Sequence, residues 1–286
     1  MLQEAVRDLR RAGVTTARLD AEILLARAAG RKREDLIAHP EIRLSPQLRH
    51  RFLECVKRRG RGEPVSYILG SKEFWSLELK VEPAVLIPRP ETEILVSETL
   101  RRLPPETLGS PNDQMRRVLD LGTGSGNVAL ALAKERTDLW VVATDISHAA
   151  LQVAQENVKS LGLSDRVALV GSNWLEAFGA HRFFEAVVSN PPYIRERDWD
   201  TLDVQTLSYE PRAALVAGED GLDAFRVIVE NAPGILRPGG WLIQEIGMDQ
   251  AGEVCALMEG TSAYEDLEVI QDLAGRDRVV AARRRG

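Results

Sequence analysis

Apolar residues recur at helical spacing through the first sixty positions. Leu2, Val6 and Leu9 share one face, and Leu19, Ile23 and Leu24 share another, so the spacing predicts two amphipathic helices. Asp35-Leu36-Ile37 predicts a short third, and Leu48, Phe52, Leu53 and Val56 a fourth that opens after Ser45-Pro46. Apolar runs on both sides of Gly70-Ser71, from Tyr67 to Trp75, read as a hairpin turning at that pair. Leu77, Leu79 and Val81 then alternate as a strand does. In Ile87-Pro88-Arg89-Pro90 each proline pushes its predecessor out of the helical region, so the segment is extended. A helix follows to about Arg102, and the polar stretch from Pro104 to Gln114 reads as a loop.

From Arg117 onward strands and helices alternate. The expected strands are Val118–Leu121, Trp140–Thr144, Val167–Val170, Ala186–Ser189 and Trp241–Glu245. The expected helices are Asn127–Glu135, His148–Leu161 and Gly221–Leu236. Leu267–Leu273 and Arg278–Arg283 close the chain as an antiparallel pair across Ala274-Gly275. Repeated βαβ units with short apolar strands imply a mostly parallel sheet covered on both faces. The organisation expected is a helical domain over residues 1–62, a hairpin linker over 63–84, and an α/β domain over 85–286.

Composition narrows this picture only a little. With 286 residues, 44% of them hydrophobic, the chain can bury a large domain and a small one. Its apolar runs are too short for a membrane span, and Met1-Leu2-Gln3-Glu4 opens no apolar signal region, so a soluble cytoplasmic protein is expected. Two cysteines and four scattered histidines suggest neither a disulfide framework nor a metal site. Charge is uneven. Residues 1–70 carry 15 Lys and Arg against 9 Asp and Glu, a net of +6 within a chain of net −6. A basic front end suits an acidic partner or a phosphate backbone, but runs such as Arg31-Lys32-Arg33 and Lys57-Arg58-Arg59 equally suit solvated helix ends.

Two motifs carry chemistry. Gly122-Thr123-Gly124-Ser125-Gly126 lies between the first parallel strand and its helix, where glycines let a ligand approach the main chain. Asp145 ends the next strand, 23 positions after Gly122, where a carboxylate can accept from both hydroxyls of a ribose. Loop and acid together indicate a nucleoside cofactor. The dinucleotide fingerprint is not met, because Asn127 stands where its third glycine belongs. The G-x-G-x-G spacing resembles the loop of S-adenosylmethionine enzymes. The second motif is Asn190-Pro191-Pro192-Tyr193, at the end of the buried run Ala186–Ser189. Two prolines end the strand and donate no N–H, leaving an Asn side chain, carbonyl acceptors and an aromatic ring at its tip. That group suits a planar –NH2, which needs two acceptors and a flat surface.

These pieces together resemble the release-factor glutamine N5-methyltransferases, the HemK/PrmC family, over nearly the whole chain. The resemblance runs from Gly62–Gly70 through Phe74-Trp75, Leu86–Glu93, Asp120–Gly126, Ser189–Ile194, Glu210-Pro211 and Gly221–Asp223 to Pro238-Gly239-Gly240. Asn-Pro-Pro-Tyr alone is shared with adenine-N6 DNA and some RNA methyltransferases; Ile87-Pro88-Arg89-Pro90-Glu91-Thr92-Glu93 is the family-specific element. The resemblance implies a class I S-adenosylmethionine-dependent methyltransferase fold, Rossmann-like, with an antiparallel C-terminal hairpin and a small N-terminal helical domain that docks the substrate. It implies methylation of the glutamine in the Gly-Gly-Gln loop of peptide-chain release factors, with methylation of an exocyclic amine in DNA or RNA as the alternative. It places the cofactor against Gly122, Thr123, Gly124, Ser125, Gly126, Asp145, Ile146, Asn173, Trp174 and Asn190. It places the glutamine against Asn190, Pro191, Pro192 and Tyr193, with Asn190, Pro191 and Tyr193 as the catalytic set. One departure is Asn173, where the family usually has Asp before the Trp; an Asn oxygen can still accept from an adenine amino group. A noncatalytic scaffold is a third class of reading, which intact motifs disfavour.

Overall fold

The N-terminal helices close around one small core. Helices α1 (Leu2–Arg11), α2 (Ala17–Ala29), α3 (Arg33–Ala38) and α4 (Pro46–Gly60) bury Leu9, Leu24, Phe52 and Val56 together, but α2 turns Ala17, Ala21, Leu24 and Leu25 inward and leaves Leu19, expected on its apolar face, exposed. The Ser45 hydroxyl accepts from the Leu48 N–H at 3.3 Å, so α4 starts where its side-chain cap and Pro46 put it. Within this core Arg59 Nε donates to Asp20 Oδ2 at 2.6 Å, and both side chains are buried. Lys57 pairs with Glu54 and Arg58 with Glu63, so every cation of the Lys57-Arg58-Arg59 run already has an internal partner. The computed structural model describes residues 1–39, 45–104, 115–179, 181 and 183–286, so the loop expected from 104 to 114 lies, beyond Pro104, outside the described residues.

The linker differs from the expected hairpin. Val65–Leu69 is a helix, α5, which Gly70 ends at φ 75°; the paired strands are β1 (Ser71–Phe74) and β2 (Leu77–Lys80). The turn therefore falls at Trp75-Ser76, whose φ values of 51° and 57° are what a two-residue hairpin needs at both positions. Gly70 is spent on the helix end, leaving non-glycine residues to bear the strain of the turn. Glu93 helps hold it by accepting from the Trp75 N–H at 2.9 Å, and Glu135 accepts from the indole N–H at 3.1 Å.

The larger domain runs α6 (Glu93–Arg102), β3 (Arg116–Leu121), α7 (Asn127–Glu135), β4 (Leu139–Asp145), α8 (His148–Ser160), β5 (Val167–Gly171), β6 (Phe184–Ser189), α9 (Val204–Tyr209), α10 (Asp223–Asn231), β7 (Leu236–Glu245), α11 (Ala251–Gly260), β8 (Tyr264–Gln271) and β9 (Asp277–Arg284). Its seven strands lie in the order β5-β4-β3-β6-β7-β9-β8, parallel from β5 to β7 and antiparallel through β9 and β8. This is the class I methyltransferase architecture, with the C-terminal hairpin at one edge. One face packs on Leu95, Leu130 and Leu132, the other on Phe225, Ile228 and Val254. Helix α10 stops at Asn231 rather than Leu236, because Pro233 follows; a single 3-10 turn, Ala232–Gly234, leads straight into β7. Helix α11, buried through Val254 and Met258, was not expected.

One buried side chain joins linker, loop and sheet. Asn157 of α8 accepts from the Lys80 N–H at 2.7 Å and donates through Nδ2 to the carbonyls of Lys80, at 3.0 Å, and Ser125, at 2.8 Å. It thus pairs with β2 as a neighbouring strand would, and pins the glycine loop. Each unmet buried partner costs about 1–3 kcal/mol, so Asn157→Leu is expected to lower the unfolding free energy in urea by at least about 2 kcal/mol. Asn157→Asp should fare no better, since a carboxylate turns no donor to the two carbonyls. An unchanged urea midpoint would show that the hairpin is held by other contacts.

Candidate active site

The chain leaves β3 toward β4 and β5, then returns to β6 on the other side of β3. At this reversal the loops after β3 and β6 run in opposite directions and open a crevice beyond the strand ends. A cavity of about 320 Å³ lies there, lined by Val85, Gly122, Asp145, Trp174, Asn190 and Ala214 among others. A larger and more open hollow of about 770 Å³, around Trp140, Phe178 and Phe183, is mostly apolar with Arg117 on its lining, and holds none of the expected site residues.

The glycine loop divides its labour. Gly122 and Gly124 line the cavity, with φ of 71° and 55°, and a Cβ on Gly122 would sit 3.8 Å from the Trp174 ring. Thr123 faces inward instead. Its hydroxyl donates to Asp120 Oδ2 at 2.7 Å, and that oxygen also accepts from the Ala129 N–H of α7 at 3.2 Å. Burial pushes Asp120 up to about 7 against those two hydrogen bonds. Ser125 is buried, its carbonyl taken by Asn157 and its hydroxyl without a partner among the described residues. Gly126 caps α7 at φ 85°, and a Cβ there would meet Leu130 at 3.1 Å. Thr123, Ser125 and Gly126 therefore shape the loop, while Gly122 and Gly124 face the cavity.

Asp145 stands at the end of β4. One oxygen accepts from the Gly124 N–H and the other from the Ser147 N–H, both at 2.9 Å, and each keeps acceptor capacity. Burial raises its pKa, partly offset by the backbone N–H groups of Ser147, Gly124 and Ile146. Ile146 is 69% exposed on the rim. Asn173 donates Nδ2 to Glu176 at 2.7 Å, which leaves its oxygen as the group open to a ligand. Trp174 sits in the left-handed region at φ 49°, its ring against the glycine loop.

On the opposite wall, Ser189 locks β6 to β3 by donating to the Leu121 carbonyl at 2.8 Å. Asn190 follows and lines the cavity. Its Nδ2 donates to Thr92 Oγ1 at 3.1 Å, so Oδ1 is the atom left for a ligand. Pro192 also lines the cavity, whereas Pro191 is buried and Tyr193 packs behind, against the core of the α10 and α11 face. The Tyr193 N–H donates to the Leu215 carbonyl at 3.1 Å, and Gln250 Nε2 donates to the Tyr193 carbonyl at 3.1 Å. Burial, reinforced by the charge of Glu245, pushes the Tyr193 hydroxyl up to about 12.

Several site residues carry no assignment from the sequence. Ala84, Val85 and Leu86 form one wall and Pro211, Ala213 and Ala214 another. Buried Glu210 ties these walls together: it accepts from the Ile87 N–H at 3.1 Å and from Arg89 Nη2 at 2.5 Å. Glu210-Pro211 and Ile87–Glu93 stand out as motifs, but nothing in either run shows that they meet. Thr92 and Glu245, behind Asn190, give no separable signal at all.

The matches to known proteins cover both parts of the chain. Residues 1–70 match the PrmC N-terminal domain and residues 103–221 the methyltransferase small domain. A release factor glutamine methyltransferase of Coxiella burnetii is 46% identical over 94% of this chain and 92% of its own length. One of Moorella thermoacetica is 45% identical over 99% and 97%. Among solved structures, a methyltransferase from Pyrococcus furiosus superposes with a TM-score of 0.51 at 16% identity, over 75% of this chain and 92% of that one, a likeness of fold. With relatives of such identity matching end to end, the chain belongs to the release factor glutamine methyltransferase family.

Proposed function

We propose that this protein transfers a methyl group from S-adenosylmethionine to the side-chain amide nitrogen of the glutamine in the Gly-Gly-Gln loop of peptide-chain release factors, in the cytoplasm. The observation that carries the reading is Asn190, a cavity-lining amide whose nitrogen is committed to Thr92 and whose oxygen is left for an N–H donor. Similarity to the release factor glutamine methyltransferases of Coxiella burnetii and Moorella thermoacetica supplies the substrate.

The cavity fits the cofactor. Gly122 and Gly124 leave room at the main chain that side chains would fill, and Asp145 keeps acceptor capacity on both oxygens for two ribose hydroxyls. The Trp174 ring, the Asn173 oxygen and the rim residue Ile146 suit an adenine, and Ala84–Leu86 with Pro211 supply an apolar wall. Thr123, Ser125 and Gly126 would serve it indirectly, by fixing the loop. S-adenosylmethionine, when bound, supplies a methyl group already activated on a sulfonium.

The protein's part is alignment. An amide nitrogen is a poor nucleophile because its lone pair is shared with its carbonyl. Asn190 Oδ1 and the Pro191 carbonyl would accept the two N–H bonds of the glutamine amide, fixing its plane and stabilising positive charge as it develops on nitrogen. Pro192 would bound that plane, with Tyr193 packed behind it against the core. The Tyr193 hydroxyl, pushed up to about 12, stays protonated near neutrality and so offers no base. The basic N-terminal helices, residues 1–62, would dock the release factor.

Transfer of labelled methyl to a purified release factor tests the reading, with a factor whose loop glutamine is alanine, duplex DNA and RNA as controls. Label on the intact factor alone is expected; label on nucleic acid would move the activity to another substrate. Asn190→Ala should lower kcat on the order of 100-fold while leaving cofactor affinity nearly intact. A parallel loss of both would remove Asn190 from the chemistry.

Cofactor affinity should also depend on pH through Asp145. Its raised pKa means that protonation occurs above the usual Asp range, and a protonated carboxyl cannot accept fully from both hydroxyls. Affinity measured by calorimetry is therefore expected to weaken as pH falls from neutrality into that range. Asp145→Asn should bind weakly and without that dependence. A wild-type affinity flat across the same interval would contradict the assignment.

A further inference from the structure

The run from Asn190 to Tyr193 cannot anchor its own middle. Pro191 and Pro192 donate no N–H, so the main chain there has no donor with which to grip its surroundings. With both proline φ angles fixed, the direction of the Pro191 carbonyl depends on how the two ends of the run are held. At the upstream end the Ser189 hydroxyl donates to the Leu121 carbonyl at 2.8 Å. At the downstream end the N–H groups of Tyr193 and Ile194 donate to the Leu215 carbonyl, at 3.1 and 2.8 Å. The Tyr193 carbonyl points elsewhere, and a side chain holds it: Gln250, the residue before α11.

Gln250 is buried, and both ends of its amide are engaged. Nε2 donates to the carbonyls of Tyr193, at 3.1 Å, and Gly221, at 3.2 Å, while Oε1 accepts from the Gly247 N–H at 3.0 Å. Three loops therefore meet on one amide: the one after β6, the one before α10 and the one after β7. Among side chains of this length an amide alone offers two donors and an acceptor in one plane; a carboxylate lacks the donors and a thioether lacks them too. Reversed, the amide would set its oxygen against two carbonyls and its nitrogen against an N–H, so a single orientation fits. The main chain has closed around it. A Cβ on Gly221 would lie 2.4 Å from the Tyr193 carbonyl oxygen, and one on Gly247 would lie 2.7 Å from Gln250 Oε1.

We propose that Gln250 is a positioning residue for methyl transfer: by holding the Tyr193 carbonyl it fixes the proline run, and so aims the Asn190 oxygen and the Pro191 carbonyl at the glutamine amide. The inference rests on the reading of those two groups as the acceptors of the substrate N–H bonds. Gln250 is not among the residues that line the cavity, so it acts through Tyr193 and not by contact with a ligand. Its reach is limited to one wall. The opposite wall, Gly122, Gly124 and Asp145, stands on β3 and β4 and is held by the Gly124 and Ser147 N–H groups on the Asp145 carboxylate. Releasing the Tyr193 carbonyl should therefore separate rate from cofactor affinity. A misplacement of about 1 Å at an aligned group can cost on the order of 100-fold in rate.

The test is methyl transfer to a purified release factor by wild type, Gln250→Met and Gly221→Ala, with S-adenosylmethionine affinity and stoichiometry measured on each by calorimetry. Gln250→Met keeps the side-chain volume and removes both donors. Gly221→Ala leaves the amide in place and presses a Cβ onto the Tyr193 carbonyl. Each is expected to lower kcat on the order of tenfold or more. The KM for the release factor and the cofactor Kd should stay within about threefold of wild type, at full cofactor stoichiometry, which also shows that the variants fold. A wild-type kcat in either variant would overturn the proposal, as would a loss confined to KM. Cofactor affinity that falls in step with the rate would overturn it too, by making Gln250 a prop of the fold. A wild type that labels no release factor would instead overturn the function itself, and this inference with it.

Discussion

The site depends on one constraint, the register of three parallel strands buried on both faces. Leu121 lies beside Thr144 on one side and Ser189 on the other, so β3, β4 and β6 end together. Inside the sheet the side chains are mostly Val, Leu and Ala, and polar chemistry cannot be housed there without cost. The cavity's polar groups emerge only past the strand ends, which is where Gly122, Asp145 and Asn190 stand. The Ser189 hydroxyl on the Leu121 carbonyl and the Thr123 N–H on the Thr144 carbonyl, both at 2.8 Å, carry the strand register into the loops. A slip of one residue would turn every one of these side chains to the wrong face.

Segments far apart in sequence roof this edge, each tied down by one buried polar side chain. Glu210 holds the Ile87–Arg89 segment, and Asn157 holds the hairpin against the glycine loop. The hairpin in turn carries the N-terminal helices, and the Tyr67 hydroxyl donates to the Val85 carbonyl at 2.6 Å, beside the cavity wall. A load on the N-terminal module is thus mechanically continuous with that wall.

How much of this is legible in the sequence depends on range. Asp145 and the glycine loop can be placed because adjacent βα units fix their separation, and Asn190 because two prolines must end its strand. The turn at Trp75-Ser76 is missed because glycine is the better turn former, and its use as the cap of α5 depends on Pro64 starting a helix there. Helix α10 is overrun because apolar spacing continues past Pro233 into β7, where a strand uses the same residues. Helix α11 buries only Val254 and Met258, too narrow a stripe to stand out. The partnerships Asn190–Thr92 and Arg89–Glu210 join segments from opposite halves of the chain, and no local pattern encodes them.

Two carboxylates placed under this edge work against stability. Asp120 and Glu245 are both pushed up to about 7 by burial, above the values they have in an unfolded chain. Between the unfolded and folded pKa values the native state binds more protons than the unfolded state, so stability falls as pH rises through that window. Near neutrality the opposition amounts to a few kcal/mol for each group, a large fraction of a domain's net stability. An apolar residue at position 120 would remove that cost but could accept from neither the Thr123 hydroxyl nor the Ala129 N–H. Asp120 directs Thr123 and the first turn of α7, which places the glycine loop. The glycine loop visible in the sequence is therefore aimed by a buried acid that stands outside the cavity, and the stability Asp120 forgoes fixes the main chain that faces the ligand.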